Sequence, residues 1–232
     1  MSRALLIFAR RPHPGRVKTR LSPYLSPEEA AEFYDCMVRD VMARTAALEV
    51  DVRFLFYEDD GEAEGYFRGV DEKLVLWPQD GAGLGERLAS AFAEIFSRGF
   101  RTAVVIGADS PDLPLSYISE AFERLESGSA DIVFGPTEDG GYYLAALQSS
   151  HPELFLDVPW STENVLAVSL HRTAEAGLHP FLLPCWYDVD EPADLGRPGL
   201  QDEKNGAGRT RKFLKVFTSP LTADTPSPQV PL

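Results

Sequence analysis

Short apolar runs alternate with amphipathic stretches along most of this chain, and that alternation constrains its fold more than any other feature. Ala4–Ala9 and Ala103–Ile106 are continuous apolar runs, the pattern of strands buried on both faces. Val50–Tyr57, Lys73–Trp77, Ile132–Gly135, Tyr142–Leu147 and Phe181–Tyr187 read as further strands. Between them fall helix patterns at about Ser26–Leu48, Leu84–Arg98, Leu115–Leu125 and Thr162–Ala176, with a last short one at Arg209–Phe217. The first helix is the best marked. Ser26 is its expected N-cap, Pro27 its first helical residue and Glu29 the partner in a capping box. Phe33, Met37 and Val41 then recur at i+4 on one face.

Strands alternating with helices of 10–20 residues predict an α/β fold, a mostly parallel central sheet flanked by helices. The pair of strands around Asp139-Gly140-Gly141 breaks the rhythm and predicts a small antiparallel element. The expected organisation is one domain over 1–217 and a loose tail over 218–232, where composition shifts to Pro, Ser and Thr.

Charge is unevenly spread. The chain has 36 Asp plus Glu against 22 Lys plus Arg, yet its first 27 residues contain no acid. Arg10, Arg11, Arg16, Lys18 and Arg20 crowd a Pro/Gly-containing loop directly behind the first strand. Open α/β sheets bind ligands at strand ends, so this loop is expected to hold an anion, phosphate above all. Arg10, Gly15, Lys18 and Arg20 are its candidate nucleotide contacts. A net charge of −14 argues against nucleic acid as a bulk partner and against a polybasic membrane contact. No apolar run reaches the length of a membrane span, and Ala4–Ala9 is too short for a signal-peptide core. A cytoplasmic protein is therefore expected, with Cys36 and Cys185 as buried free thiols.

Two familiar phosphate loops fail the test of spacing. A dinucleotide fingerprint needs Gly-x-Gly-x-x-Gly after the first strand, where this chain has Arg10-Arg11-Pro12-His13-Pro14-Gly15. A P-loop needs Gly directly before Lys-Ser/Thr, whereas Gly15 stands three positions ahead of Lys18. Elsewhere, Gly85 and Arg87 open a helix, where N–H groups attract anions, and join the candidate nucleotide contacts. The four histidines share no metal-ligand spacing with each other or with either cysteine.

Six motifs recur in order: Pro-x-Pro-Gly-Arg-x-Lys-Thr-Arg-Leu at Pro12–Leu21; Leu84-Gly85-Glu86-Arg87; Gly107-Ala108-Asp109-Ser110-Pro111-Asp112-Leu113; Gly135-Pro136 through Asp139-Gly140-Gly141-Tyr142; Trp160-Ser161-Thr162; and Asp188-Val189-Asp190-Glu191-Pro192. Together they resemble the family of glycosyltransferases found beside radical-SAM and selenoprotein-type domains. That family is similar to phospholactate guanylyltransferases and molybdenum-cofactor nucleotidyltransferases. The resemblance spans about Leu5–Leu214 and implies a single GT-A, Rossmann-like domain that binds a nucleotide diphosphate through Mg²⁺ or Mn²⁺.

Asp109, just past a buried strand, is the first expected metal ligand; the usual Asp-x-Asp is absent, which leaves Asp112 a structural role. The resemblance selects Asp190 as the second ligand, with Asp188 in reserve; capping of the helix near Pro192 is the alternative for Asp190. Asp139, Gly140 and Gly141 form a strong hairpin signal, and the resemblance adds an acceptor-binding role in which Asp139 orients or deprotonates a hydroxyl. Lys18 and Asp139 are thus the expected catalytic side chains. The leading expectation is a glycosyltransferase using a nucleotide-diphospho-sugar donor and a small-molecule acceptor. A nucleotidyltransferase that joins an NTP to a phosphorylated acceptor and releases pyrophosphate is the alternative, and a non-catalytic nucleotide-binding module the third.

Overall fold

The structure is a computed structural model that describes residues 2–22 and 24–218. β1 (Arg3–Ala9) leads through a basic loop into α1 (Pro27–Thr45). The expected capping box is present: the Ser26 hydroxyl accepts from the Glu29 N–H at 3.2 Å, and the Ser26 N–H donates to Glu29 Oε2 at 2.8 Å. β2 (Val52–Tyr57), α2 (Ala63–Arg68), β3 (Val75–Pro78), α3 (Leu84–Ser97), β4 (Thr102–Gly107) and α4 (Leu115–Glu126) follow. Then come β5 (Ile132–Pro136), β6 (Tyr142–Leu147), α5 (Val165–Glu175), β7 (Pro180–Leu182), α6 (Pro198–Gln201) and α7 (Gly208–Thr218).

The seven strands form one sheet in the order β3-β2-β1-β4-β6-β5-β7. β6 is antiparallel to both its neighbours, β4 and β5, while the remaining pairs are parallel. The antiparallel element predicted around Asp139-Gly140-Gly141 is thus the β5–β6 hairpin, with β6 inserted between two strands that run the other way.

Burial is continuous over Ala4–Ile7 of β1 because both of its faces are covered. Leu5 and Ile7 enter a core shared with α1, α4 and α7; Ala4 and Leu6 enter a second core shared with α3 and Phe155. α7 is tied to α1 by a buried carboxylate. Asp40 accepts from the Thr210 N–H at 2.8 Å and hydroxyl at 2.9 Å, satisfying amides that the first turn of α7 leaves unpaired.

Some expectations are adjusted. The short helix α2 and the turn of helix α6 carry too few periodic residues to be read from sequence. The strand expected over Phe181–Tyr187 is only three residues long in β7, after which the chain keeps a single parallel bridge between Trp186 and Thr137. Both cysteines are free, but neither is buried as expected: Cys36 is half-buried on α1, and Cys185 is exposed because it sits in the segment that leaves the edge of the sheet. Residues 219–232 of the expected tail lie outside the described residues. Among the described residues, no helix is long and apolar enough to cross a membrane.

Candidate active site

Strand order decides where a site can form. From β1 the chain builds outward through β2 and β3, then returns to lay β4 on the other side of β1. The loops after β1 and β4 therefore part in opposite directions and leave a crevice at their C-terminal ends. A cleft of about 710 Å³ opens there, lined by Arg10, Arg16, Lys18, Arg20, Arg87, Asp109, Asp188 and Asp190 among others. That size suits a nucleotide-like ligand.

Asp109 stands two residues beyond β4. The segment after β7 runs past it: the Leu183 N–H donates to the Phe134 carbonyl, and the Val189 N–H donates to the Asp109 carbonyl, both at 2.9 Å. Val189 is fully buried and anchors the segment. Its extended neighbours Asp188 and Asp190, two apart, consequently both reach the cleft beside Asp109.

Lys18 joins the acids. Its ammonium lies 2.5 Å from Asp109 Oδ1 and 2.7 Å from Asp190 Oδ1. The Lys18 side chain is only 3% exposed, against 43% and 45% for its two partners. The backbone makes this reach by a left-handed turn at Lys18, with φ 48° and ψ 37°, a conformation that costs a non-glycine residue about 1 kcal/mol or more. The Tyr34 ring from α1 covers the ammonium at 5.7 Å. Burial lowers the Lys18 pKa, but the charges of Asp109 and Asp190 outweigh it and leave the pKa raised, so the ammonium is held charged.

The other expected nucleotide contacts divide. Arg20 lines the cleft, and so does Arg16, which the sequence reading noted in the loop but did not select. Among the described residues neither has an ion-pair partner. Arg10 is paired with Glu58 at 2.7 Å. Arg87 also approaches Glu58 and donates to Gln79 Oε1 and the Gly81 carbonyl, both at 3.1 Å, so its guanidinium chiefly holds the loop before α3. Gly15 takes a positive φ of 75° and does not line the cleft. Gly85 does permit a close approach, but to protein: a Cβ there would collide with the Phe155 carbonyl and the Trp160 ring.

Asp139, Gly140 and Gly141 lie outside the cleft lining. Asp139 Oδ1 accepts from the Thr137 hydroxyl at 2.6 Å and the Gly141 N–H at 3.1 Å, the work of a turn residue. Asp112 is fully buried and accepts from the Tyr187 hydroxyl, a structural position. Tyr34, which lines the cleft, and Glu58, which pairs with Arg10 and Arg87 beside it, were not anticipated. Glu58 follows β2 beside β1, so the strand-end rule that selected Asp109 marks it too; Tyr34 is an aromatic on a helix face with no distinguishing signal.

The donor set suits a hard divalent cation. Asp109 and Asp190 share the Lys18 ammonium, Asp188 lies beside them in the cleft lining, and all three offer oxygen. Burial, followed by the charge of Asp109, pushes the Asp188 carboxyl up to about 7, while a hydrogen bond from Ser110 at 2.7 Å opposes the rise. This is a surplus of negative charge. Among the described residues no group of three or more His, Cys, Asp or Glu side chains converges on a metal position. Asp109 and Asp190, which meet at Lys18, are the pair that could hold Mg²⁺ in a site completed by phosphate and water.

The α/β fold is shared with a cytidylyltransferase from Leptospira borgpetersenii, which superposes with a TM-score of 0.56 over 97% of this chain and 98% of its own, at 11% identity. The chain belongs to the family described as "Uncharacterized protein conserved in bacteria (DUF2064)", which it matches over residues 41–162. It is 28% identical to a 2-phospho-L-lactate guanylyltransferase of Halorubrum lacusprofundi, covering 86% of this chain and 87% of that protein. A crystal structure from Desulfovibrio desulfuricans G20, provisionally described as a nucleotide-diphospho-sugar transferase, superposes with a TM-score of 0.82 at 27% identity, over 94% of this chain and 99% of that one.

Proposed function

We propose that this protein is a nucleotidyltransferase, which couples a nucleoside triphosphate, GTP in the first instance, to a small phosphorylated acceptor and releases pyrophosphate. The observation that carries this reading is the meeting of Asp109 and Asp190 around Lys18, at the switch point of the sheet, beside two unpaired guanidiniums. The similarity to guanylyltransferases along nearly the whole chain supports it, and ranks it above the glycosyltransferase expectation. The Desulfovibrio structure keeps the latter as a second reading.

In the proposed reaction an acceptor phosphate oxygen attacks the α-phosphorus. The bond from that oxygen to the α-phosphorus forms, the bond to the β-phosphate oxygen breaks, and pyrophosphate departs with the electron pair. An ionised phosphate is already a nucleophile, so the reaction needs no general base. This agrees with Asp139 being occupied in its turn. Arg16 and Arg20 hold the β- and γ-phosphates, where forked guanidiniums match phosphate oxygens. Asp109 and Asp190 would hold Mg²⁺ or Mn²⁺, which when bound supplies Lewis-acid stabilisation of phosphate charge. The protein's share is placement and fixed charge rather than covalent catalysis.

The test is product analysis with GTP and other NTPs, Mg²⁺ and a panel of phosphorylated hydroxy acids that includes 2-phospho-L-lactate. Stoichiometric pyrophosphate is expected. Nucleoside diphosphate released from a sugar nucleotide, with no pyrophosphate from any NTP, would instead establish glycosyl transfer.

A further inference from the structure

The ammonium of Lys18 bridges the two carboxylates that the reading above gives to the divalent cation, on which this inference rests. Lys18 occupies Oδ1 of each carboxylate, so a second cation competes with it for the pair. A divalent ion seats at about 2.0–2.1 Å from carboxylate oxygen, and on those same oxygens it would lie close enough to Lys18 Nζ for strong repulsion. For the ion to take those oxygens, the ammonium must leave. Lys18 is almost fully buried under Tyr34, and a buried charge stripped of both partners is strongly destabilising. A nucleotide changes this. Arg16 and Arg20, on the same loop, have no ion-pair partners among the described residues and line the same cleft, so phosphates gathered there give the displaced ammonium a replacement anion.

We propose that Lys18 is an internal counter-cation that occupies the Asp109–Asp190 pair in the free protein and makes divalent-ion binding conditional on the nucleotide. The ion and the nucleotide then bind with positive coupling, and the ion alone binds weakly. The left-handed backbone at Lys18 serves this arrangement by aiming a loop residue inward at the acids.

Mn²⁺ binding without nucleotide, followed by loss of the free-ion paramagnetic resonance signal, tests the proposal on the full chain. Lys18→Met should bind Mn²⁺ at least about tenfold more tightly than the parent, and Lys18→Arg no more tightly than the parent. Mn²⁺ should also raise the melting temperature of Lys18→Met while leaving the parent unmoved, an effect that a purely structural lysine would not produce. Equal or weaker Mn²⁺ binding by Lys18→Met overturns the proposal; the metal reading survives it if Asp109→Asn abolishes Mn²⁺ uptake in the presence of a non-hydrolysable GTP analogue. If Asp109→Asn has no effect on that uptake, the metal reading itself has failed. Should Lys18→Met not fold, acetic-anhydride labelling of the parent decides: Lys18 should stay protected in Mn²⁺ alone, and labelling under that condition overturns the proposal.

Discussion

Asp109, just past β4, and Asp190, in the segment after β7, each leave more than two-fifths of the side chain exposed, so either can be changed without opening the core. Asp109→Ala is expected to reduce nucleotidyl transfer about 100-fold or more while leaving the melting temperature within a few degrees, because Lys18 keeps Asp190 as partner. Steady-state kinetics beside a melting curve checks both halves. Arg16→Ala and Arg20→Ala should each raise KM for the NTP about tenfold with a smaller change in kcat, the loss of one charge-assisted phosphate contact. Asp112 carries a pH prediction. Burial, opposed by the Tyr187 hydrogen bond, raises its carboxyl pKa in the folded protein. The folded state thus holds a proton that the unfolded chain releases at a lower pH. Stability from this group is greatest below the unfolded pKa and falls as pH rises toward the folded value. Asp112→Asn, which can still accept from Tyr187, should flatten that slope in urea titrations at successive pH values. At this scale Asp109 and Lys18 were marked by their places after apolar runs and Asp190 by resemblance alone, and the structure brings the three together. Lys18 was expected across a phosphate from the acids, not in direct contact with them, since the left-handed turn that aims it belongs to a lysine, not to the glycine that usually marks such a bend.

At the level of elements, the strands and long helices were legible because a two-sided core leaves continuous apolar runs and four-residue spacing in the chain. Hairpin chemistry at Asp139-Gly140-Gly141 was equally legible, and Asp139 holds the turn through the Thr137 hydroxyl and the Gly141 N–H. What could not be read was which element each glycine serves. Gly85 illustrates this: helix α3 starts against the Phe155–Trp160 segment so closely that no side chain fits between them. Gly85→Ala must push that segment away, and Trp160 and Ser161 line the cleft. The expected result is a loss of about 1–3 kcal/mol in urea unfolding, together with weakened nucleotide binding although residue 85 itself lies outside the cleft lining. Stability lost with nucleotide affinity intact would show that the segment tolerates the shift.

Across the whole molecule, the decisive information is strand order, which local sequence patterns do not carry. Only when β4 lies against β1, and the chain after β7 passes Asp109, do residues 18, 109 and 190 meet; their separations in sequence give no hint of it. The same arrangement explains how a protein of net charge −14 can offer an anion site. Five basic residues and no acid lie in the loop behind β1, which makes one part of the surface locally basic, while acids more than about a Debye length away are largely screened at physiological salt. Ligand binding to this folded arrangement, and not to the unfolded chain, must raise the melting temperature. GTP with Mn²⁺ at about 100 times its dissociation constant should add roughly 2.7 kcal/mol of stability, and Mn²⁺ alone almost none. In Asp109→Ala the increment from GTP should no longer depend on Mn²⁺, since one of the two acids that face the ion is gone. A Mn²⁺-dependent increment that persists undiminished in this variant would place the ion elsewhere and separate the cation from the strand-end acids altogether.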